Sequence, residues 1–211
     1  MDEARLYLVA PARLAVGQLA ELVPELAEAG VDLIQLREKE AEAADVLRLA
    51  GPVLEACKAA GVPFILNDRP DVALALGADG VHVGQNDLPI AFTRRIFGDG
   101  IVGLSTHATG QVDRALGRSD LIDYFVVGPC FTTPTKPGRP AAGLELVRYA
   151  AEQHTTLPWF AIGGINESNL DEVLTAGATR IVVVRAITEA ADPVAATTSL
   201  KQRLVAAPEE D

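Results

Sequence analysis

Eight short apolar runs punctuate the chain: Leu6–Ala10, Val31–Leu36, Pro63–Leu66, Gly80–Val83, Ile101–Leu104, Tyr124–Val127, Trp159–Ile162 and Arg180–Val184. Most are rich in β-branched or aromatic residues, the pattern of strands covered on both faces. Between most of them lie Ala/Leu/Glu-rich stretches with helical spacing, among them Val16–Ala29, Ala41–Ala60, Gly143–Gln153 and Glu167–Ala176. In the third of these, Leu144, Val147, Tyr149 and Ala151 form the predicted apolar face. Gly30, Gly61, Gly77 and Gly177 stand where helix C-caps are expected. Eight strand-like units alternating with about as many helices predict a parallel sheet. The count and a repeat of roughly 25 residues favour closure into a TIM (β/α)8 barrel, a single α/β domain over 1–211. An open doubly wound sheet, with five or six strands in this length, is the second choice. The loop Thr132–Ala142, with three prolines and a glycine, is expected to be a mobile flap.

Composition narrows the partners. The 18 Lys plus Arg against 29 Asp plus Glu give a net charge of −11, which argues against nucleic acid. An anionic substrate must therefore be held by a local concentration of positive charge. Cys57 and Cys130 fit no zinc or disulfide framework. No run approaches a membrane span and no basic leader precedes an apolar stretch, so a cytoplasmic protein with no membrane partner is expected. No interface stripe is legible, and a homodimer is compatible with the sequence.

The chemistry lies at the C-terminal ends of the predicted strands, where barrels carry their sites. The second ends in Gln35-Leu36-Arg37-Glu38-Lys39. Gln35, Arg37 and Lys39 share one parity, so an Arg and a Lys converge as an anion clamp, unless they are a solvated turn. The third ends in Asn67-Asp68-Arg69 and the fourth in Gln85-Asn86-Asp87. Carboxylates on adjacent strand ends suit a hard cation such as Mg2+, although an Asp after a strand is as often a helix cap. The fifth ends in Ser105-Thr106-His107, where the hydroxyl can donate to a phosphate and His107 can bond an anion or relay a proton. The sixth leads to Thr132-Thr133-Pro134-Thr135-Lys136, hydroxyls and a lysine on a stiffened loop. Gly163-Gly164 after the seventh, beside Val184-Arg185 after the eighth, resemble the phosphate site usual in barrels. His82, of opposite parity to Val81 and Val83, is expected to face the helices, and Cys130 reads as a packing residue.

Together with Ala78–Asp87, Gly103–His107, Gly128-Pro129 and Ile162–Ile165, these segments resemble the thiamine-phosphate synthase family, in order from residue 6 to about 190. The resemblance implies a TIM barrel that joins 4-amino-2-methyl-5-(diphosphooxymethyl)pyrimidine to a thiazole phosphate, carboxylated or not. Diphosphate leaves first and the thiazole nitrogen captures the resulting cation. It implies that Gln35, Leu36, Arg37, Glu38, Lys39, Asn67, Ser105 and Lys136 bind the pyrimidine diphosphate. Of these, Arg37, Lys39, Lys136 and Ser105 carry the catalytic role. It further implies that Asp68 and Asp87 hold Mg2+, and that Thr133, Pro134, Thr135, Gly164, Val184 and Arg185 hold the thiazole phosphate. Stabilising a departing diphosphate needs cationic charge and no strong base, and the chain offers no obvious base.

Arg185 departs from the family pattern, which commonly has serine there. Backbone N–H groups could hold the phosphate regardless, and the side chain could add a bond or form an ion pair elsewhere. Two rivals remain. A TenI-like thiazole tautomerase would share the barrel and the monophosphate loop but has no reason to keep the Arg37/Lys39 clamp with Asp68, Asp87 and Lys136. A non-catalytic phosphate-binding barrel would not need both an acid pair and a separate phosphate loop.

Overall fold

The computed structural model describes residues 1, 3–14, 17–132 and 141–206. Eight parallel strands close into a barrel: β1 Leu6–Ala10, β2 Leu33–Leu36, β3 Phe64–Asn67, β4 Gly80–Val83, β5 Ile101–Thr106, β6 Tyr124–Val127, β7 Trp159–Ile162 and β8 Ile181–Val183. Each pairs with its sequence neighbours, and β1 closes the ring through Leu6↔Ile181 on one side and Tyr7↔Leu33 on the other. The surrounding helices are α1 Leu19–Glu28, α2 Ala43–Ala60, α3 Pro70–Leu76, α4 Ile90–Phe97, α5 Thr109–Leu116, α6 Leu144–Ala151, α7 Leu170–Thr175, α8 Arg185–Thr188 and α9 Pro193–Ala206. No helix among the described residues is long and apolar enough to cross a membrane.

All eight predicted strands are present, four with the predicted bounds and four differing at one or both ends by one or two residues. The first helix starts later than the pattern implied. A two-residue antiparallel ladder, Arg13–Leu14 against Gly17–Gln18, precedes it. The predicted apolar face of α6 is also corrected: Leu146, Val147 and Ala150 are buried, while Leu144 and Tyr149 are only partly so. The helix is turned toward the rows 146/150 and 147, leaving the amphipathic Tyr149 to place its hydroxyl on Asp113. Helices α2 and α3 end at Gly61 and Gly77 in left-handed conformation, as predicted.

Strand periodicity divides the core into two shells. Ile34, Leu36, Val81, Val83, Phe125 and Val127 point outward into the layer beneath the helices. Tyr7, Val9, Leu33, Ile65, Tyr124, Val126, Phe160 and Val182 fill the barrel itself. Tyr7, Tyr124 and Phe160 meet edge to face in a triangle with centroids 5.5 to 5.8 Å apart, the arrangement the ring quadrupoles favour. This aromatic plug fills the barrel beneath its C-terminal mouth.

At the opposite pole the aspartate just before each of β2, β4 and β6 closes the start of the preceding strand. Asp32 Oδ2 accepts from the Arg5 and Leu6 amides, Asp79 Oδ2 from Phe64, and Asp123 Oδ2 from Val102. Asp32 also binds Lys201 Nζ at 2.6 Å, tying α9 to the barrel, and Asp123 binds Arg94 at 2.6 Å. Asp123→Ala is expected to destabilise the fold by about 2 kcal/mol, because it orphans both the Val102 amide and the half-buried guanidinium. Urea unfolding of the variant checks this, and turnover per folded molecule should not change.

Candidate active site

Two adjoining cavities open at the mouth. The larger, about 560 Å3, lies over β1–β5, and the smaller, about 350 Å3, over β7 and β8. His107, Ile162, Val182 and Val184 line both, so one wall separates two chambers.

The larger chamber gathers Gln35, Arg37, Glu38, Lys39, Asn67, Asp68, Asp87 and Ser105, all named from sequence. The Arg37 amide extends the ladder past β2 by bonding Ala10 O at 2.9 Å, which keeps Arg37 in phase with Gln35. Leu36 alternates outward, is wholly buried beneath the helices, and can contribute only backbone here. Glu38 lines the chamber and uses Oε1 to accept from the Ala12 amide at 2.7 Å, anchoring the loop after β1.

Asp68 follows β3 with φ of 63°, a left-handed conformation that a non-glycine residue holds only when its surroundings compel it. Its amide bonds His82 O at 2.8 Å, which helps fix that turn. The result sets its carboxyl beside that of Asp87. Asp87 is aimed by a bond from the Gly84 amide to Oδ2 at 2.8 Å, and a Cβ on Gly84 would stand 2.9 Å from that oxygen. Burial, followed by the facing Asp87, pushes Asp68 above the usual carboxylate range, while Lys39 and Arg37 pull it back. Lys39 Nζ is 3.7 Å from Asp68 Oδ2. Two converging carboxylates are an oxygen-only donor set, which fits a hard divalent cation that keeps waters or phosphate oxygens as its other ligands. Among the described residues no group of three or more His, Cys, Asp or Glu is placed to hold a metal ion.

The sequence reading of His82 is overturned. Val81 and Val83 face the helices, so opposite parity turns His82 into the barrel, where it is 7% exposed and lines the larger chamber. Its Nδ1 lies 3.0 Å from Tyr124 Oη, its Nε2 lies 2.9 Å from Ser105 Oγ, and its ring stacks on Tyr124. Tyr7 and Tyr124 were likewise missed. The chain has only three tyrosines, and two of them, Tyr7 and Tyr124, sit on apolar strands.

The smaller chamber is built on a turn that only glycine permits. Gly163 has φ of 106°, and a Cβ there would stand 2.4 Å from Pro129 Cβ. Gly164, Val184 and Arg185, the residues expected to hold a monophosphate, line this chamber. The first amides of α8 lack carbonyl partners within the helix and can serve an anion. The Arg185 guanidinium lies 3.8 Å from Glu189 Oε2, a loose and largely exposed pair at the chamber rim. His107 must donate Nδ1–H to Gly128 O at 2.6 Å, which turns Nε2 away from that carbonyl. Thr133, Pro134, Thr135 and Lys136, together with most of the expected flap, lie outside the described residues.

Residues 6–187 match the family model for thiamine monophosphate synthase. The chain is 53% identical over 208 residues to a thiamine-phosphate synthase of Acidothermus cellulolyticus, covering 98% of each chain. It is 54% identical over 202 residues to that of Thermus thermophilus, covering 95% of this chain and 97% of the relative. A solved thiamine phosphate pyrophosphorylase from Pyrococcus furiosus superposes with a TM-score of 0.85 at 32% identity, over 97% of this chain and 96% of the other.

Proposed function

The chain belongs to the thiamine monophosphate synthase family, and on that premise we propose that it makes thiamine phosphate by joining the 4-aminopyrimidine diphosphate to a thiazole phosphate. The observation that supports this best is the pair of chambers sharing one wall. A larger one carries Arg37, Lys39 and the Asp68/Asp87 pair, and a smaller one is lined by glycine backbone and the start of α8.

Arg37 and Lys39, joined by Lys136, hold the diphosphate and neutralise the charge that develops as the methylene C–O bond breaks and its electron pair departs with the leaving group. Ser105 and Gln35 hold the pyrimidine ring, with Asn67 beside them. Asp68 and Asp87 would hold Mg2+, which supplies further charge neutralisation on the diphosphate. Gly164, Val184 and Arg185, with Thr133, Pro134 and Thr135, fix the thiazole phosphate so that the ring nitrogen faces the cationic methylene carbon and forms the N–C bond. A carboxylated thiazole then loses CO2. The apolar floor of buried Val126 and Val182 with partly buried Ile162 limits access of water to the cation. The whole chain, 1–211, acts as one catalytic domain in the cytoplasm.

Diphosphate release from the two precursors in Mg2+ tests the reading. Release should require both substrates, stop on adding EDTA, and return with excess Mg2+. An absence of release in Mg2+ would overturn it. Isomerisation of the thiazole alone, unaffected by EDTA, would install the tautomerase in its place.

A further inference from the structure

Five side chains inside the barrel form one unbroken hydrogen-bonded chain, separate from the Asp68/Asp87 carboxylate pair. Gln35 Nε2 donates to Tyr7 Oη at 2.5 Å, and Tyr7 Oη lies 2.8 Å from Tyr124 Oη. Tyr124 Oη then meets His82 Nδ1, and His82 Nε2 meets Ser105 Oγ, at 3.0 and 2.9 Å. Both tyrosines are fully buried, and Gln35, Ser105 and His82 are 3, 6 and 7% exposed.

Proton counting gives this chain a direction. Each hydroxyl owns one proton, and a neutral imidazole owns one N–H. Tyr7 accepts from Gln35, so its own proton goes to Tyr124. Tyr124 must then donate to His82 Nδ1, which is therefore bare, and the ring proton sits on Nε2 and points at Ser105 Oγ. Ser105 accepts from inside and is left to donate toward the chamber. At the other end Gln35 presents Oε1, which has no protein donor among the described residues, to the same chamber. Burial drives both phenol pKa values upward, so neither tyrosine gives up its proton to blur the order. Turning the Gln35 amide over would reverse every bond, so the two ends are held in opposite sense: when Gln35 accepts, Ser105 donates.

We propose that Tyr7, Tyr124 and His82 are positioning residues that couple Gln35 to Ser105 across the barrel and set the substrate polarity the pyrimidine chamber accepts. Resting on the synthase reading, this assigns the choice of a 4-amino ring over a 4-oxo ring to the direction of the chain. An aminopyrimidine offers an N–H donor beside a bare ring nitrogen; the 4-oxo tautomer offers a carbonyl beside a ring N–H, the opposite pattern. With the ring orientation fixed by its phosphate arm, the wrong pattern leaves buried polar groups unpaired, the kind of mismatch that discriminates strongly.

The test has one arm that needs no substrate. In 15N-histidine spectra of the ligand-free protein, with His82 assigned by its loss in His82→Gln, the proton should sit on Nε2. Gln35→Glu, which offers Tyr7 only an acceptor, should protonate Nδ1. Adding Tyr124→Phe should abolish that response. In the second arm, binding of the unreactive 4-amino-5-hydroxymethyl-2-methylpyrimidine monophosphate is compared by calorimetry with its 4-oxo analogue. Wild type should prefer the amino ring by at least about tenfold, and Tyr124→Phe should bring the two to within about threefold. Ser105→Ala should weaken amino-ring binding in wild type but much less beside Tyr124→Phe. A proton on Nδ1 in wild type, indifference of His82 to Gln35→Glu, or an unchanged preference in Tyr124→Phe would each overturn the proposal. Failure of the synthase reading shows separately, as no diphosphate release from wild type, and the nitrogen spectra still decide the direction of the chain.

Discussion

Asp68→Asn is expected to lower kcat/KM by roughly a thousandfold while leaving the protein folded, the scale of losing one ligand of a charge-stabilising site. The asparagine keeps the size and can hold the left-handed turn, since Asn tolerates φ near 63° as well as Asp does. What it removes is one of two carboxylates that face each other across the ends of β3 and β4. Without a cation that pair is a strain on the fold, so in EDTA the variant should melt no lower than wild type. With Mg2+ at a hundred times its Kd, wild type should gain about 2.7 kcal/mol of stability from binding, and the variant should gain little. Thermal melts with and without the metal, run beside turnover, separate a ligand from a structural residue. An unchanged rate would remove Asp68 from the metal site, and a variant that melts low in EDTA would mark it as structural.

Gly103→Ala is expected to damage the barrel core severely. The added Cβ would stand 2.1 Å from Tyr124 Cζ and 2.4 Å from its hydroxyl. That ring cannot retreat, because Tyr7, Phe160 and His82 pack around it. Overpacking of this severity costs about 3 kcal/mol or more, which for a chain this long lowers the melting temperature by about 6–12 °C. Gly110→Ala is the matched control. It lies on α5, where a Cβ meets only Arg114 Nη1 at 3.7 Å, and it should melt at or slightly above wild type. A melt for Gly103→Ala within a degree or two of wild type would show that the aromatic plug has slack.

Gly103 also explains why part of this site could be read from sequence and part could not. Strands announced themselves because both faces are apolar and each run breaks into polar residues at its chemical end, so Arg37, Asn67, Asp68, Asp87 and Ser105 were placed by position alone. The same double burial hid His82. When Val81 and Val83 could face either shell, parity separated His82 from them without saying which shell was inside. The pairing Asn67↔His82 settles it, since in a parallel ladder laterally paired residues face the same side. Tyr7 and Tyr124 were illegible for a related reason. An aromatic residue in a buried strand reads as packing until its hydroxyl is seen to have partners. The role of Gly103 needed the third dimension altogether, for the ring it admits comes from the next strand, twenty-one residues on.

The aspartates at the closed pole carry a consequence for where the barrel breathes. Strands β1, β3 and β5 each begin with an amide clamped by a carboxylate from the residue before the next strand. Position 180, just before β8, is an arginine, and among the described residues no carboxylate clamps the start of β7. Fraying of strand ends, followed as amide hydrogen exchange, should therefore be slow around Leu6, Phe64 and Val102 and fastest at the start of β7. On the function proposed above, the wall assigned to the diphosphate is the clamped side of the barrel, and the wall assigned to the monophosphate is the side expected to have give. A condensing enzyme has use for that asymmetry, because one partner must be held still while it ionises and the other must arrive and, as product, depart.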